Sequence, residues 1–213
     1  MPPSENKTTG SSYHRLEARH LLVNYDEIAL KRGNRRHFES RLLKNIRAAI
    51  KDLGGSHLQP RFGRFLLRLS SETPLDKVCG RLSRIPGIAV YSPCISTSAD
   101  LDSVRAAMDS IIDQLLARGE QPESFAVVSR RANKELPFTS TDANATIGAH
   151  VQGRTGWKVR LKKPQLSLYL FFVNNDCFLA LDRLPGLGGL PTGSTGRVAC
   201  LLSGGIDSPV SSA

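Results

Sequence analysis

Residues 166–181 read LSLYLFFVNNDCFLAL, and this stretch gives the clearest indication of the fold class. Two apolar runs, Leu166–Val173 and Cys177–Leu181, flank the polar turn Asn174–Asp176. Short apolar runs on either side of an Asn/Asp turn are typical of a β-hairpin. The longest unbroken apolar run in the chain, Leu168–Val173, is far too short to cross a membrane. We therefore predict a hairpin in a protein that does not span a membrane.

Several segments before this hairpin have apolar residues at helical spacing. The first follows Asn34, a candidate N-cap, and runs to about Leu53, where a Gly-Gly pair ends it. Another follows Asp100, which can cap it, and stops at Gly119. Helices and strand-like runs alternate, which predicts an α/β (α+β) fold. The other predicted elements are strands at Ala18–Tyr25, Phe65–Leu69, Tyr91–Ile95 and Phe125–Val128, and helices at about Pro74–Ser83 and Asp142–Gly153.

The chain is strongly basic, and the excess charge is uneven. Lysine and arginine total 29 against 19 acidic residues, which gives a net charge of +10 and a pI of about 9.8. Residues 1–95 hold 17 basic and 8 acidic residues, a surplus of nine, whereas residues 96–213 have a surplus of one. This distribution indicates a polyanionic partner, with nucleic acid as the leading candidate. Charge alone also fits plain solubility.

The spacing of cysteine and histidine residues predicts neither a metal site nor a redox site. Cys79, Cys94, Cys177 and Cys200 form no CxxC pair and have apolar neighbours, which indicates buried packing. The five histidines show no metal-binding spacing, so we expect no metal ligands. The polar segment 1–15 lacks the apolar stretch of a secretory signal, which indicates a disordered tail on a cytoplasmic protein.

The segment 198–208, VACLLSGGIDS, carries the strongest chemical motif. A short apolar strand, Val198–Leu202, is followed by two glycines that let backbone N–H groups approach an anion. A helix beginning directly afterwards would direct its positive end at the same place. The hydroxyls of Ser203 and Ser208 can donate to phosphate oxygens, whereas Asp207 would act through Mg²⁺ or by fixing the loop. No lysine follows the glycines, so this is not a Walker A loop, and an ordinary Gly-Ser turn is the alternative.

Four blocks of sequence resemble the tRNA 4-thiouridine synthetase (tRNA sulfurtransferase) family, in the family's order. The SGGIDS motif is similar to the PP-loop of ATP pyrophosphatases, and the longer run from Leu184 to Val210 resembles the sulfurtransferases specifically. The other blocks are Glu27–Lys31 with Asn34–Arg36, Arg84–Ile88, and Ser129–Lys134 with Pro137–Ser140.

The resemblance implies the domain organisation. It predicts a ferredoxin-like domain at 16–80, a THUMP RNA-binding domain at 81–183, a linker at 184–197 and a truncated PP-loop domain at 198–213. That last domain would be a parallel sheet, of which only the first strand and the PP-loop are expected here, because the whole fold needs about 100–150 residues. We therefore expect a fragment that does not complete sulfur transfer. Its chain from about Leu187 is expected to be poorly ordered or to rest on the THUMP unit.

The resemblance also implies a reaction, that of a tRNA uracil 4-sulfurtransferase. In this family ATP activates the C4 oxygen of a tRNA uridine, and a persulfide on a catalytic-domain cysteine delivers sulfur that can also serve thiamine thiazole synthesis. The implied partners are tRNA and a persulfide donor such as a cysteine desulfurase, and no catalytic residue is expected in these 213 residues. The alternative is a non-catalytic THUMP module that acts as a tRNA adaptor. ATP with Mg²⁺ is the implied cofactor, with contacts at Leu201, Leu202, Ser203, Gly204, Gly205, Asp207 and Ser208.

Basic residues at element ends and in basic stretches are the candidate tRNA contacts. A further stripe of basic residues, from Arg41 to Lys51 on the polar face of the first helix, could either contact RNA or simply face solvent. Only Tyr91 and Trp157 lie near basic or turn segments, so no base-stacking platform is predicted and we expect recognition of folded tRNA. The candidate contacts are Lys31, Arg32, Arg35, Arg36, Arg130, Arg131, Lys134, Lys158, Arg160, Lys162 and Lys163.

Overall fold

The structure is a computed structural model that describes residues 16, 18–30, 33–61, 63–132, 135–196, 204–205 and 210. The predicted tail at 1–15 and the predicted strand Val198–Leu202 lie outside the described residues. Helices and strands are mixed along the described chain, in agreement with the predicted α/β (α+β) class. In chain order the elements are β1 His20–Asn24, α1 Glu27–Leu30, α2 Arg35–Ile50, β2 Ser56–Arg61, β3 Arg64–Leu69, α3 Leu75–Leu82, β4 Val90–Ser98, α4 Leu101–Ala117, β5 Ser124–Arg131, α5 Ser140–Thr155, β6 Lys158–Val159, β7 Leu166–Val173, β8 Asp176–Ala180 and β9 Leu184–Pro185.

One continuous sheet carries both halves of the chain. Its strand order is β2-β3-β1-β4-β8-β7-β5-β6, and β9 pairs with β4. Strand β4 joins the halves, because its residues 90–94 pair with β1 and its residues 95–98 pair with β8. The ladders are antiparallel, except that β5 runs parallel to β6 and β7. We call residues 18–94 the first unit, residues 95–183 the second unit, and residues 184–196 the connector.

Helices α2 and α3 cover one face of the sheet in the first unit. Along α2, Phe38, Leu42, Ile46 and Ile50 recur at intervals of one helical turn, and all four are buried. They pack against alternate residues of β1 and β3, such as Leu21, because successive strand residues point to opposite faces. The helical periodicity therefore predicted α2 correctly, although the helix ends before Leu53.

The elements predicted for the first unit omit two that the structure contains, the four-residue helix α1 and the strand β2. This strand, with the sequence SHLQPR, pairs with β3 alone among the described strands and so forms an edge of the sheet. Only Leu58 in it is buried, and Pro60 lacks a backbone donor, so neither hydrophobicity nor propensity marks it as a strand. Its pairing partner, rather than its own sequence, makes it a strand.

Helices α4 and α5 cover the sheet of the second unit. The carboxylate of Asp100 accepts the N–H of Ser103 at 2.7 Å, which confirms the predicted N-cap of α4. Helix α5 begins at Ser140, earlier than predicted, because Asp142 closes a capping box with Thr139 instead of starting the helix. Both helices pack on the apolar residues of β7 that point to their side, among them Leu168.

The hairpin predicted from residues 166–181 is confirmed. Strands β7 and β8 pair in antiparallel register, with Val173 opposite Asp176. Asn174 takes the left-handed conformation that Asn tolerates in a turn, with φ of 55°. Phe171, Val173 and Phe178 point away from α4 and α5 and form a small buried cluster on the opposite face.

The connector lies on the first unit, so the expectation of disorder or of packing on the THUMP unit is wrong for residues 187–196. The N–H of Gly87 donates to the carbonyl of Gly188 at 2.6 Å. The side-chain amide of Asn45 on α2 donates to the carbonyl of Thr192 at 3.0 Å, and Leu190 packs against the core of the first unit. Strand β9 adds backbone pairing with β4. No pattern in the Gly- and Pro-rich connector sequence predicts these contacts.

The described cysteines are structural. Cys79, Cys94 and Cys177 are free and buried, as predicted, while Cys200 lies outside the described residues. Burial raises the pKa of the Cys79 thiol to about 12 and raises the pKa values of the other two thiols. None of the described helices has the length and apolarity needed to cross a membrane. The described residues also contain no group of three side chains suited to holding a metal ion.

Candidate nucleic-acid interface

Three arginines, which we call the junction arginines, meet where the two units join. Arg64 begins β3 of the first unit, Arg130 lies near the end of β5, and Arg183 follows β8. Arg130 is the register partner of Phe171 on β7, so both side chains lie on the same face of the sheet. The guanidinium of Arg64 lies 5.4 Å from the centre of the Phe171 ring, which brings it to that face from the other unit.

Two aromatic rings connect the junction arginines. Tyr169 and Phe171, two positions apart on β7, stack with their centroids 6.3 Å apart and an interplanar angle of 11°. The guanidinium of Arg183 lies 5.8 Å from the centre of the Tyr169 ring. A cation–π contact of this kind contributes about 0.5–2 kcal/mol, depending on its exposure. Each end of the aromatic pair therefore contacts one arginine.

The junction arginines form a region of uncompensated positive charge. Burial lowers the pKa of Arg64, and the positive charges of Arg130 and Arg183 lower it further. The Nε atom of Arg64 is buried and has no hydrogen-bond partner among the residues that the structure describes. Within the part of the chain that the structure describes, none of the three pairs with a carboxylate. Such a region favours an anion, because neighbouring like charges repel one another and a bound anion offsets that repulsion.

Sequence reasoning selected Arg130 but missed the other members of this site. Arg64 lies in a hairpin whose first strand was not predicted, and Arg183 stands alone after an apolar strand. The aromatic residues singled out earlier, Tyr91 and Trp157, are buried at 1% and 7% exposure. The available signal was the two-residue spacing of aromatic rings in SLYLFF, which places them on one face of a strand.

The predicted tRNA contacts at the start of α2 differ in how free their side chains are to bind RNA. The guanidinium Nε of Arg35 lies 2.8 Å from Glu39, and its NH2 group donates to the hydroxyl of Tyr25 at 3.2 Å. That hydroxyl also donates to Glu39; burial, followed by this hydrogen bond, raises the pKa of Tyr25 to about 12. Arg36 is exposed, whereas Lys31 and Arg32 lie outside the described residues. Arg35 is thus held by an internal network, and Arg36 faces solvent.

At the end of β5, the neighbouring residues Arg130 and Arg131 are in different environments. The guanidinium of Arg131 donates to the backbone carbonyls of Leu136 and Phe138 and so holds the loop before α5. Arg130 is exposed and belongs to the junction arginines. Lys134 lies outside the described residues. Of the pair predicted from sequence, Arg130 is therefore the one free to meet a ligand.

The remaining predicted contacts form what we call the basic strip, which consists of Lys158, Arg160, Lys162 and Lys163. All four are exposed, and none pairs with a carboxylate within the described ranges. Strand β6 pairs Lys158 with Ser124 at the start of β5, whereas Arg130 lies six residues further along. At about 3.3 Å per residue, the strip and Arg130 are roughly 20 Å apart. A pocket of about 780 Å³ beside the strip is lined by Trp157, Lys158 and Arg160 among others.

The basic face of α2 is only partly free. Arg41 and Lys44 line a shallow pocket of about 250 Å³ with His37 and Ser40, while the guanidinium of Arg47 donates to the carbonyl of Leu58 at 3.0 Å. The connector also lies close to this face, because a Cβ atom on Gly193 would come within 3.6 Å of the Arg41 guanidinium. This stripe thus serves the packing of the first unit as well as facing solvent.

The predicted ATP contacts fall mostly outside the described chain. Gly204 and Gly205 are described and exposed. The positions of Leu201, Leu202, Ser203, Asp207 and Ser208 lie outside the described residues, so the predicted nucleotide site stays a prediction.

Comparison with known proteins assigns both units. Residues 20–92 match the model of the ThiI ferredoxin-like domain, and residues 98–182 match that of the THUMP domain. This chain belongs to the tRNA sulfurtransferase family. A probable tRNA sulfurtransferase of Natranaerobius thermophilus is 37% identical over 201 residues, which cover 90% of this chain and 47% of the relative. One from Nocardia farcinica is 36% identical, with 89% of this chain and 46% of the relative covered.

Two solved structures share the fold of these units. A crystal structure of a 4-thiouridine synthetase–RNA complex with bound ATP matches with a TM-score of 0.73 and 30% identity, over 92% of this chain and 49% of that one. PH1313 from Pyrococcus horikoshii also matches with a TM-score of 0.73, at 26% identity over 82% of this chain and 57% of that one. The chain spans about half the length of the curated tRNA sulfurtransferases it matches.

Proposed function

We propose that this chain is the tRNA-binding part of a tRNA uracil 4-sulfurtransferase. The observation that carries the proposal is the presence of exposed basic groups at both ends of β5, with Arg130 at one end and the basic strip at the other, none of them paired with a carboxylate among the described residues. Their separation of roughly 20 Å spans several phosphates of an RNA backbone, which carries one charge per nucleotide. The THUMP match and the similarity to a synthetase–RNA complex support the same partner.

The complete reaction is part of the same proposal. ATP with Mg²⁺, held by the PP-loop at 203–208, would adenylate the C4 oxygen of a tRNA uridine and release pyrophosphate. Sulfur from a persulfide, supplied by a cysteine desulfurase, would then displace that oxygen, which leaves as part of AMP. The described cysteines do not suit the role of sulfur carrier, because Cys79, Cys94 and Cys177 are buried and their thiol pKa values are raised. The proposal also includes a cytoplasmic location and a supply of sulfur to thiamine synthesis. Its domain limits are 16–80 for the ferredoxin-like domain, 81–183 for the THUMP domain and 198–213 for the start of the PP-loop domain.

RNA binding at increasing salt tests this function. If about six basic groups meet phosphates, the affinity of the chain for unmodified tRNA should fall steeply between about 50 and 200 mM salt. A folded tRNA should also bind more tightly than poly-uridine of equal length, because duplex RNA is recognised by shape and by its 2′-hydroxyls. A flat salt dependence, or equal affinity for the two RNAs, would contradict the proposal.

A further inference from the structure

The junction arginines make a site that is charged and partly buried but has no partner of opposite charge among the described residues. Arg64 reaches the site from the first unit, whereas Arg130 and Arg183 reach it from the second. The buried Nε of Arg64 still has an unused donor. Guanidinium groups are planar forks of donors that match the oxygens of a phosphate.

The aromatic pair contacts two of these guanidinium groups before any ligand binds. Phe171 holds Arg64 at 5.4 Å, and Tyr169 holds Arg183 at 5.8 Å. Because the rings are themselves stacked, neither arginine has to be ordered from a fully flexible state when a ligand arrives. Arg130 extends from the neighbouring strand on the same face as Phe171.

We propose that Arg64, Arg130 and Arg183 form one oxyanion site at the junction of the two units, and that it takes a backbone phosphate of the bound RNA. The inference rests on the proposed function for the identity of the ligand and adds to it a specific site. Since the arginines come from both units, a phosphate bound there connects β3 to β5 and to the end of β8. It also neutralises the repulsion that the three positive charges exert on one another.

The phosphate chemistry can be measured without RNA. The Nε–H signals of ¹⁵N-labelled chain would be followed by NMR while sodium phosphate replaces sodium chloride at constant ionic strength. The signal of Arg64 should shift and saturate, and this shift should be lost in Arg183→Gln. An Arg64 signal that responds equally to chloride and phosphate would overturn the site.

Binding of tRNA then decides whether the oxyanion is an RNA phosphate. Arg130→Gln and Arg183→Gln, both at exposed positions, should each weaken binding about tenfold and reduce the salt slope by about one. Arg105→Gln is the matched control, because Arg105 lies on α4 in a pair with Asp102 and should leave affinity unchanged. Wild-type affinity in both junction variants would overturn this site while leaving the proposed function intact. If the wild-type chain does not distinguish tRNA from poly-uridine, the proposed function itself fails. If the Arg64 signal responds saturably to phosphate but neither substitution weakens tRNA binding, the assignment of the oxyanion to an RNA phosphate is wrong.

Discussion

The guanidinium of Arg64 lies 5.4 Å from the centre of the Phe171 ring, and this contact joins β3 of the first unit to β7 of the second. The arginine is attracted to the ring but repelled by two neighbouring arginines, and burial disfavours its charge. The junction therefore combines favourable packing with unfavourable electrostatics.

We expect Arg64→Met to keep the free energy of unfolding at low salt equal to the wild-type value or above it. Methionine retains an apolar stem against Phe171 and removes a charge that burial and two arginines disfavour. Arg64→Ala should instead lose about 1–2 kcal/mol, because it also removes the packing of the stem. Urea unfolding measures both variants, and equal destabilisation of the two would refute this account.

Charge reversal should have different effects at the neighbouring residues Arg130 and Arg131. Arg130→Glu should weaken tRNA binding by about 1–3 kcal/mol with little change in stability, because its side chain is exposed. Arg131→Glu should lower the unfolding free energy by about 1–3 kcal/mol, because it leaves the carbonyls of Leu136 and Phe138 without their donor. Filter binding measures the tRNA affinity of both variants, and thermal unfolding measures their stability. If Arg130→Glu lowered stability and Arg131→Glu weakened tRNA binding instead, the two roles would have to be reversed.

Gly186→Ala should detach the connector from the first unit. A Cβ atom at this position would lie 2.2 Å from the carbonyl oxygen of Ile88, and backbone atoms cannot rotate away as a side chain can. We expect a loss of about 1–3 kcal/mol and faster proteolysis within residues 187–196. Gly196→Ala is the control, since a Cβ there meets no atom of the described residues within 4 Å. Unchanged protection in Gly186→Ala would mean that the connector does not depend on this close approach.

Stability in acid should depend on Asp109, which links α4 to α5. Partial burial opposes its ionisation, but hydrogen bonds from His150 and Arg154 lower the pKa of the carboxyl below its usual 3.8. A lowered folded-state pKa gives stability that is complete above the unfolded-state value and is lost as pH falls through the folded-state value. Asp109→Asn should therefore cost stability at neutral pH and flatten the acid limb of the stability–pH curve.

The control for this pH dependence is Asp102→Asn on the same helix. Asp102 is exposed, and its partner among the described residues is Arg105 at the surface, so the wild-type acid limb should be retained. Chemical unfolding between about pH 2 and pH 6 gives the comparison. An acid limb that is the same in both variants would show that the Asp109 network does not contribute.

Sequence alone determined the features that depend on short-range chemistry. The face of α2 that carries Leu42 and Ile46, the cap at Asp100 and the hairpin around Asn174 all follow from neighbouring residues, so periodicity and turn preference were sufficient. The α/β class followed because several such elements alternate along the chain, whereas the two domain types followed from the resemblance of four sequence blocks to the tRNA sulfurtransferase family. The same reasoning identified Arg130 and the basic strip as exposed positive charge.

Only the tertiary structure decided the features that depend on residues far apart in the chain. Residues 56–61 form strand β2 because they pair with β3. The connector lies on the first unit because Asn45 and Gly87 donate hydrogen bonds to its backbone carbonyls. Arg64 meets Phe171 across more than a hundred residues of sequence. No local pattern encodes such a contact, because its stability comes from a surface that exists only once β4 has joined the two units into one sheet.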